Sequence, residues 1–451
     1  MGECLAWKAM AYFYLVRIWG DVPIVHDNSS EIAAGDYNNK YKVKAADVYE
    51  YIVMTLEKAI ELLPESNDAG RIDRWGAKGL LAKVYLAKSG INCNGNGQRD
   101  ENDLAKAAEY AKDVIDNSGK ELMPNYEDIF KGENNNCDES LIGWRWSAEQ
   151  LNYTCGNCLS SELAPQGFNE YQSWGDWTAP SVDLEDAFGV SPLDNPDSRA
   201  KTDTRRKATM MMAGDEYNNW YSDKGGFNYL KFLYDKTYAP GSNDGLQSAT
   251  GANIAKHIYG DDADHVKAFG ISAGKQSSSL STHVLRLADV YLIYAEAKIG
   301  NNESTTDASA IDAFYQVWHR ARPTDFDKPS SITLDQVLKE RRLELAFEGD
   351  YWFDLVRMSY YNVDKAMNII KNQRRNGYYG LADLYKAYYN DGKPNGPWNV
   401  DESKMYYETN TPKPNVTKSI FQLPFPQGDV VYNPHLMEEA QHVDVRETFQ
   451  Y

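Results

Sequence analysis

The chain has 451 residues, of which 42% are hydrophobic, and a formal net charge of −19. This length is sufficient for one large domain or for two fused lobes with a sizeable core. The negative charge would repel a phosphate backbone, which argues against nucleic acid as the main partner. No run of 18 apolar residues occurs, so the sequence predicts no transmembrane helix.

Helical periodicity dominates the first 117 residues. Apolar residues recur at steps of three and four, as they do along one face of an α-helix. Small residues such as Ala107 and Ala111 would allow neighbouring helices to approach closely, and Asp73 is a suitable N-cap. Successive helical hairpins of this kind are typical of TPR-like repeats. The predicted helices cover residues 3–19, 46–63, 73–88 and 103–117.

The first of these helices begins without a capping residue, because Met1 leads directly into Glu3 and an amphipathic run. No signal peptide is recognisable before it. These features predict that the chain is cut on its N-terminal side, so that any targeting segment would lie upstream.

Residues 118–280 have a different composition, rich in Gly, Asn, Asp, Ser and aromatic residues, with little helical periodicity. Short helices are predicted at 181–188 and 203–213, and a short strand at 140–146. We interpret this stretch as a loop-rich insertion lobe between helical layers. Long loops on a rigid scaffold often carry function.

Strong helical periodicity returns after residue 280, and the tail from residue 376 is mostly irregular. The sequence therefore predicts a mainly α fold of TPR-like helical hairpins with one loop-rich insertion lobe. The later helices are predicted at residues 283–299, 308–322, 333–357 and 362–375. The predicted regions are a helical region at 1–117, the insertion as candidate ligand-binding lobe at 118–280, a second helical region at 281–375, and an irregular C-terminal region that packs on the helices at 376–451.

The densest group of carboxylates lies near residue 345. Glu340, Glu344 and Glu348 are four residues apart, which places them on one helix face beside several arginines. A glycosidase needs two carboxylates across a cleft, one of them with a raised pKa, whereas neighbouring arginines lower a carboxylate pKa. We therefore predict structural ion pairs at this position and no catalytic residues.

The sequence predicts no cofactor. Residues 92–103 resemble an EF-hand loop in outline, but Asn92 and Asp103 replace the usual Asp and Glu, so a structural calcium ion is the weaker alternative to a polar turn. Cys155 and Cys158 form a lone C-x-x-C, which we interpret as a local disulfide or as a pair without function. No phosphate loop or G-x-S-x-G motif is present, and nothing identifies an enzyme.

Aromatic residues crowd the insertion and are interleaved with amides and carboxylates. Sugar rings stack their apolar C–H faces on aromatic rings, and sugar hydroxyls bond to amides and carboxylates. Trp144 and Trp146 share one face of the predicted strand and are expected to pack inward. For the predicted binding residues, the alternative is local packing of the rings. The predicted carbohydrate-binding residues are Trp174, Trp177, Trp220, Tyr221, Asn218 and Asn219.

Five segments, in the same order, resemble the SusD/RagB family over nearly the whole chain. The first contains YFYLVRIWGDVP at Tyr12–Pro23, with Lys8 where the family usually has Arg. After the last segment, Met437–Gln441 replaces the final motif of the family. The segments are residues 5–23, 46–86, 286–297, 340–357 and 423–436.

The resemblance implies a SusD-like α–α superhelix in a non-catalytic lipoprotein exposed on the cell outer membrane. It also implies capture of glycans for nutrient uptake, delivery of oligosaccharide to a SusC-like TonB-dependent transporter that the protein covers as a lid, and a lipid anchor upstream of Met1. Two alternatives remain open: a TPR-like scaffold that binds peptide or protein in a groove on its helices, and a helical glycoside hydrolase.

Overall fold

Helices are the main element of the protein. The structure, a computed structural model, describes residues 1–35, 38–93, 95–149, 156–169, 173–175, 178–242, 245–274, 276–322, 327–390, 398, 400, 403, 406–407 and 413–451.

The helices and strands have the following bounds along the chain. The α-helices are α1 (Gly2–Trp19), α2 (Asn28–Ala34), α3 (Ala45–Leu62), α4 (Arg74–Lys88), α5 (Glu101–Asn117), α6 (Leu159–Leu163), α7 (Val182–Phe188), α8 (Arg205–Thr209), α9 (Tyr229–Tyr234), α10 (Asp262–Phe269), α11 (Leu287–Ile299), α12 (Ala308–Ala321), α13 (Leu334–Glu344), α14 (Asp350–Tyr361), α15 (Val363–Lys371), α16 (Leu381–Asn390), α17 (Gln427–Tyr432) and α18 (Val445–Thr448). The strands are β1 (Ser140–Trp144), β2 (Met210–Met212), β3 (Glu216–Tyr217), β4 (Phe227–Asn228), β5 (Ala252–Ile254), β6 (Thr282–Arg286), β7 (Ser304–Thr305), β8 (Ile332–Thr333), β9 (Tyr378–Tyr379) and β10 (Tyr406–Tyr407). They pair as antiparallel two-stranded ribbons, and the β1–β6 ribbon joins the beginning and the end of the insertion.

Six helices form a continuous row, which we call the helical row. Helix α1 packs on α3, α3 on α4, and α4 on α5. Helix α11 packs on both α4 and α5, and α12 packs on α11, so the helices on the two sides of the insertion form one row. Small side chains such as Ala82 and Ala107 are fully buried in the shared core and allow this close approach. The predicted mainly α fold of helical hairpins is confirmed. Within the described residues, no helix combines the length and apolar character needed to cross a membrane.

The insertion has its own core, made largely of aromatic rings. Phe168 and Trp220 meet edge to face in this core, with ring centroids 5.6 Å apart. Tyr385 of α16 packs into the same core, and α16 contacts α9 of the insertion. This part of the C-terminal region is therefore helical, where an irregular structure was predicted, and it lies against the insertion. Phe421 and Val445, further along the chain, do pack on helices. The division into four regions otherwise stays a prediction.

Three predicted helices are divided in two or partly replaced by a strand. The helix predicted at 333–357 is two helices, α13 and α14, because Phe347 and Gly349 adopt left-handed conformations with φ of 63° and 88°. The beginning of the helix predicted at 283–299 is strand β6, which pairs with β1. The segment 203–213 contains both α8 and β2. Pairing with distant strands overrides the local helical pattern in the last two cases.

Gly76 lies where α4 touches the backbone of β1. A Cβ atom at Gly76 would lie 2.8 Å from the Leu141 carbonyl oxygen, which can move only with the strand. We expect Gly76→Ala to lower the free energy of unfolding by about 1–3 kcal/mol, measured by urea denaturation, although alanine favours a helix. The control is Gly428→Ala in α17, where an added Cβ meets nothing, and it should be neutral or stabilising by up to about 1 kcal/mol. Equal stabilities of the two variants would contradict this packing.

Candidate functional site

Trp220 and Tyr221, two of the predicted binding residues, lie inside the insertion core. Their exposed fractions are only 5% and 2%. Trp220 stacks on Tyr217 with ring centroids 4.2 Å apart, and the Tyr221 hydroxyl donates to the Phe168 carbonyl oxygen at 2.7 Å. The prediction that these two rings form surface platforms is therefore wrong, because the loop-rich lobe uses them to build its own core.

The other predicted binding residues have different surroundings. Asn218 is exposed, whereas Asn219 and Trp174 are half-buried. Trp177 lies outside the described residues. Carbohydrate binding by these four residues stays a prediction.

Trp144 and Trp146 form an aromatic pair that is partly exposed. Trp144 is 40% exposed, Trp146 is half-buried, and the two rings meet edge to face with centroids 6.3 Å apart. Register shifts on both sides of Ile142 interrupt the side-chain alternation of β1. The expected inward packing is wrong for Trp144, because it assumes unbroken alternation along the strand. Gly143 is the signal that could have indicated this, since a glycine inside a strand often marks a bulge.

Hydrogen bonds connect Trp146 to Trp174 through two short elements. Trp146 Nε1 donates to Thr282 Oγ1 at 3.1 Å, and the Asn157 side-chain amide donates to the same oxygen at 3.4 Å. Asn157 leads into α6, and a carbonyl oxygen of α6 accepts from the Trp174 backbone N–H at 2.9 Å. This chain of hydrogen bonds links the β1–β6 ribbon to the segment that contains Trp174. We call the ring pair Trp144 and Trp146 the aromatic surface.

The carboxylates near residue 345 are buried and paired. Glu344 accepts charged hydrogen bonds from arginines of three different elements. Glu340 and Glu348 each bind two cations as well. The predicted structural ion pairs are confirmed. We call this cluster the ionic network, and it consists of Glu139, Glu340, Glu344, Glu348, Arg205, Arg286, Arg320, Arg322 and Lys256.

The cations of the network lower the pKa values of two of its carboxylates, Glu344 and Glu348. Burial alone would raise the pKa of Glu344, but the three arginines that bind it lower that pKa to about 2. Burial is also overcome at Glu348, where Arg286 and Lys256 lower the pKa. A general acid of a glycosidase needs a raised pKa, so these side chains have the opposite electrostatic character.

The loop at residues 92–103, the weaker calcium alternative, uses its acids for contacts within the protein. The Asp100 carboxylate caps α5, and Asp103 accepts from Lys88 Nζ at 2.7 Å. Among the residues that the structure describes, no group of three or more His, Cys, Asp or Glu side chains is arranged to hold a metal ion. Calcium binding stays an untested alternative, and Cys155 of the C-x-x-C pair lies outside the described residues.

The fold and the site together define a class of protein, in which a row of TPR-like helical hairpins carries an insertion lobe with a partly exposed tryptophan pair. A family model described as the SusD family matches residues 145–441. A second, described as starch-binding associating with outer membrane, matches residues 1–86. The chain belongs to the SusD family.

Individual relatives agree with this assignment. The chain is 36% identical to a SusD-like protein from Bacteroides ovatus, over 97% of this chain and 73% of that protein. It is 23% identical to the starch-binding protein SusD from Bacteroides thetaiotaomicron, over 84% of this chain and 68% of that protein. A crystal structure that contains a xylogluco-oligosaccharide is similar with a TM-score of 0.77 at 33% identity, and the match covers 100% of this chain and 82% of the other.

Glu344→Gln should destabilise the protein strongly. The substitution removes the negative charge that pairs with three buried guanidinium groups. Because these positive charges are then not fully compensated, we expect the free energy of unfolding to fall by about 3–5 kcal/mol. The control is Glu61→Gln, whose side chain is 65% exposed and pairs with Lys58 on α3, and it should cost about 0–1 kcal/mol. Urea denaturation measures both, and similar losses would show that the network does not stabilise the fold.

Proposed function

We propose that this protein binds carbohydrate at the cell surface and delivers oligosaccharide to a SusC-like TonB-dependent transporter, without catalysis. The observation that carries the proposal is the ring pair of exposed Trp144 and half-buried Trp146 at the end of the β1–β6 ribbon. The relative solved with a xylogluco-oligosaccharide and the starch-binding relative support carbohydrate as the ligand class.

The aromatic surface suits a sugar ring for two physical reasons. An indole ring offers a broad apolar face to the C–H side of a sugar and tolerates contact with water. The hydrogen bond from Trp146 to Thr282 holds that ring in place before a ligand arrives, which reduces the entropy lost on binding. An open site with few buried contacts should bind in the micromolar to millimolar range.

The residues predicted from the sequence have two roles in this proposal. Trp174 and Trp177 extend the stacking surface, and Asn218 and Asn219 bond to sugar hydroxyls. The buried rings next to them in sequence support the insertion core from within.

The proposed absence of catalysis rests on the electrostatics of the densest carboxylate cluster, the ionic network. Glu344 and Glu348 of the ionic network have lowered pKa values and are bound by cations. A turnover assay on the glycans that bind should therefore release no product. Product formation would favour the helical glycoside hydrolase.

The proposal includes an outer-membrane location, with a lipid anchor on a segment upstream of Met1 and a position on the transporter. The description of the second family model, which names association with the outer membrane, supports this location. We expect a TonB-dependent transporter to co-purify with the protein from native outer membranes in mild detergent. A preparation that binds glycan but never contains a transporter would contradict the proposed partner, while the proposed ligand class would stand.

Trp144→Ala and Trp174→Ala should each weaken glycan binding. Loss of one stacked ring should cost about 1–3 kcal/mol of binding free energy, by analogy with bases stacked on aromatic side chains. Isothermal titration against a panel that includes xyloglucan oligosaccharides measures the effect. The melting temperature should change little for Trp144→Ala, because that ring is largely exposed.

The matched control is Trp352→Ala. Trp352 is 41% exposed, close to Trp144, but it belongs to α14 and stacks on Phe421. Its removal should leave glycan affinity unchanged. Equal losses in all three variants would point to general damage, and normal binding by Trp144→Ala and Trp174→Ala would place the site elsewhere.

A further inference from the structure

The insertion contains a cleft that is separate from the aromatic surface. Its volume is about 810 Å³, which is in the range of sites that hold a small molecule. Its walls include α8, β3 and the loop before α8, and Arg320 of α12 contributes from the helical row. None of the described residues that line the cleft belongs to the aromatic surface. The charged side chains that matter for a ligand are Asp197, Lys201, Arg206, Lys207, Asp215 and Glu216.

The floor of this cleft is buried, and its charges are paired within the protein. Arg206 and Asp215 are each 7% exposed, and Arg206 Nη2 donates to Asp215 Oδ1 at 3.0 Å. The Asn228 side-chain amide, also on the floor, donates to Glu216 Oε1 at 2.8 Å and accepts from the Lys231 backbone N–H at 2.9 Å. Because these partners compensate the buried groups, the floor is stable without a ligand and does not attract an ion strongly.

The rim of the cleft carries charged groups that have no ionic partner. Within the described part of the chain, the ammonium groups of Lys201 and Lys207 form no ion pair, although the protein has 66 acidic residues against 47 lysines and arginines. Lys207 lies over the ring of Tyr217, with Nζ 4.9 Å from the ring centroid. Among the same residues, the Asp197 carboxylate has no cation partner, and the Glu216 carboxylate has only its amide partner. Donors and acceptors of both signs therefore line one space.

This mixture of groups favours a neutral ligand with many hydroxyl groups. The carboxylates would repel an anion that the lysines attract, and the lysines would repel a cation that the carboxylates attract. A hydroxyl group both donates and accepts, so it can bond to an ammonium group on one side and to a carboxylate on the other. Hydrogen bonds to charged groups are also stronger than those between neutral groups. A short saccharide meets all of these requirements.

We propose that this cleft is a second carbohydrate site, which takes a neutral monosaccharide or disaccharide or the end of a longer chain. The inference rests on the proposed function for its ligand class. The two sites differ in chemistry, because the aromatic surface is open and stacks on the face of a sugar ring, whereas the cleft binds the hydroxyl groups around the ring. One glycan-binding protein would therefore recognise two different features of its ligand.

Two glycines of the insertion give a matched pair of variants. Gly214 and Pro196 both line the cleft, and a Cβ atom on Gly214 would lie 2.5 Å from the Pro196 Cβ. Gly214→Ala must therefore displace one of these two walls. Gly225 has almost the same backbone angle, with φ of 83° against 84°, but an added Cβ there meets nothing. The strain of a left-handed alanine is common to both variants, so only the change in the cleft distinguishes them.

Calorimetric titration with cellobiose and maltose tests the proposal, in a Trp144→Ala background that weakens the aromatic surface. Gly214→Ala and Lys207→Met should each lower the affinity about tenfold, as expected for the loss of one hydrogen bond to a charged group. Lys207→Met keeps an unbranched side chain over Tyr217, and Gly225→Ala should bind normally. Glucose should bind more tightly than glucuronate or glucosamine. Amide exchange of the unmodified protein should show that cellobiose protects residues 196–207 and 214–217.

Several results would overturn the second site. These are normal disaccharide binding by Lys207→Met or by folded Gly214→Ala, a preference for glucuronate or glucosamine over glucose, and protection by cellobiose that excludes the cleft. The exchange experiment needs no variant, so it decides the matter even if Gly214→Ala does not fold. Failure of the proposed function has a different signature, which is normal binding of longer glycans by Trp144→Ala and Trp174→Ala in the otherwise unmodified protein.

Discussion

The ionic network joins the insertion to the helical row at one place. Its carboxylates lie mainly on α13 and in the turn after it, and its cations come from both sides. Arg320 belongs to α12 of the helical row, and Arg286 is the residue directly before α11. Arg205 and Lys256 belong to the insertion. Each buried charge costs several kcal/mol to desolvate unless it is paired and hydrogen-bonded. Because each carboxylate binds more than one cation, a shift of the insertion would leave buried charges uncompensated.

The same contacts position the aromatic surface. Arg286, the last residue of β6, binds Glu139, the residue before β1, with an N–O distance of 2.6 Å. This pair fixes one end of the β1–β6 ribbon, and Trp144 pairs with Thr282 in the ladder at the other end. Thr282 also accepts the hydrogen bond that orients Trp146. Trp144 and Trp146 are therefore held by a short ribbon whose other end is bound into the ionic network.

The helices of the row follow from the sequence, whereas the exposure of individual rings does not. Periodic apolar positions place α1, α3, α4 and α5 within a residue or two of their observed bounds, because a helical face packed on a core requires that period. Trp220 and Trp144 both lie among polar neighbours, but only Trp144 is exposed. The bulges at Ile142 and the folding of the loops around Phe168 decide this difference. Neither of these features has a periodic signature in the sequence. The break between α13 and α14 is also not predictable, because Phe347 adopts a left-handed backbone conformation that its side chain does not favour.

Two kinds of buried acid give the protein opposite responses to pH. The pKa of Glu344 is about 2, below its ordinary 4.5, so its stabilisation is present above pH 4.5 and is lost as the pH falls towards 2. The pKa of Glu185 is about 9, so its stabilisation is lost as the pH rises from 4.5. Both contributions to stability are complete together only at a pH near 4.5, the ordinary pKa of a glutamate. Acid therefore weakens the ionic network, while alkali weakens the surroundings of Glu185 in α7.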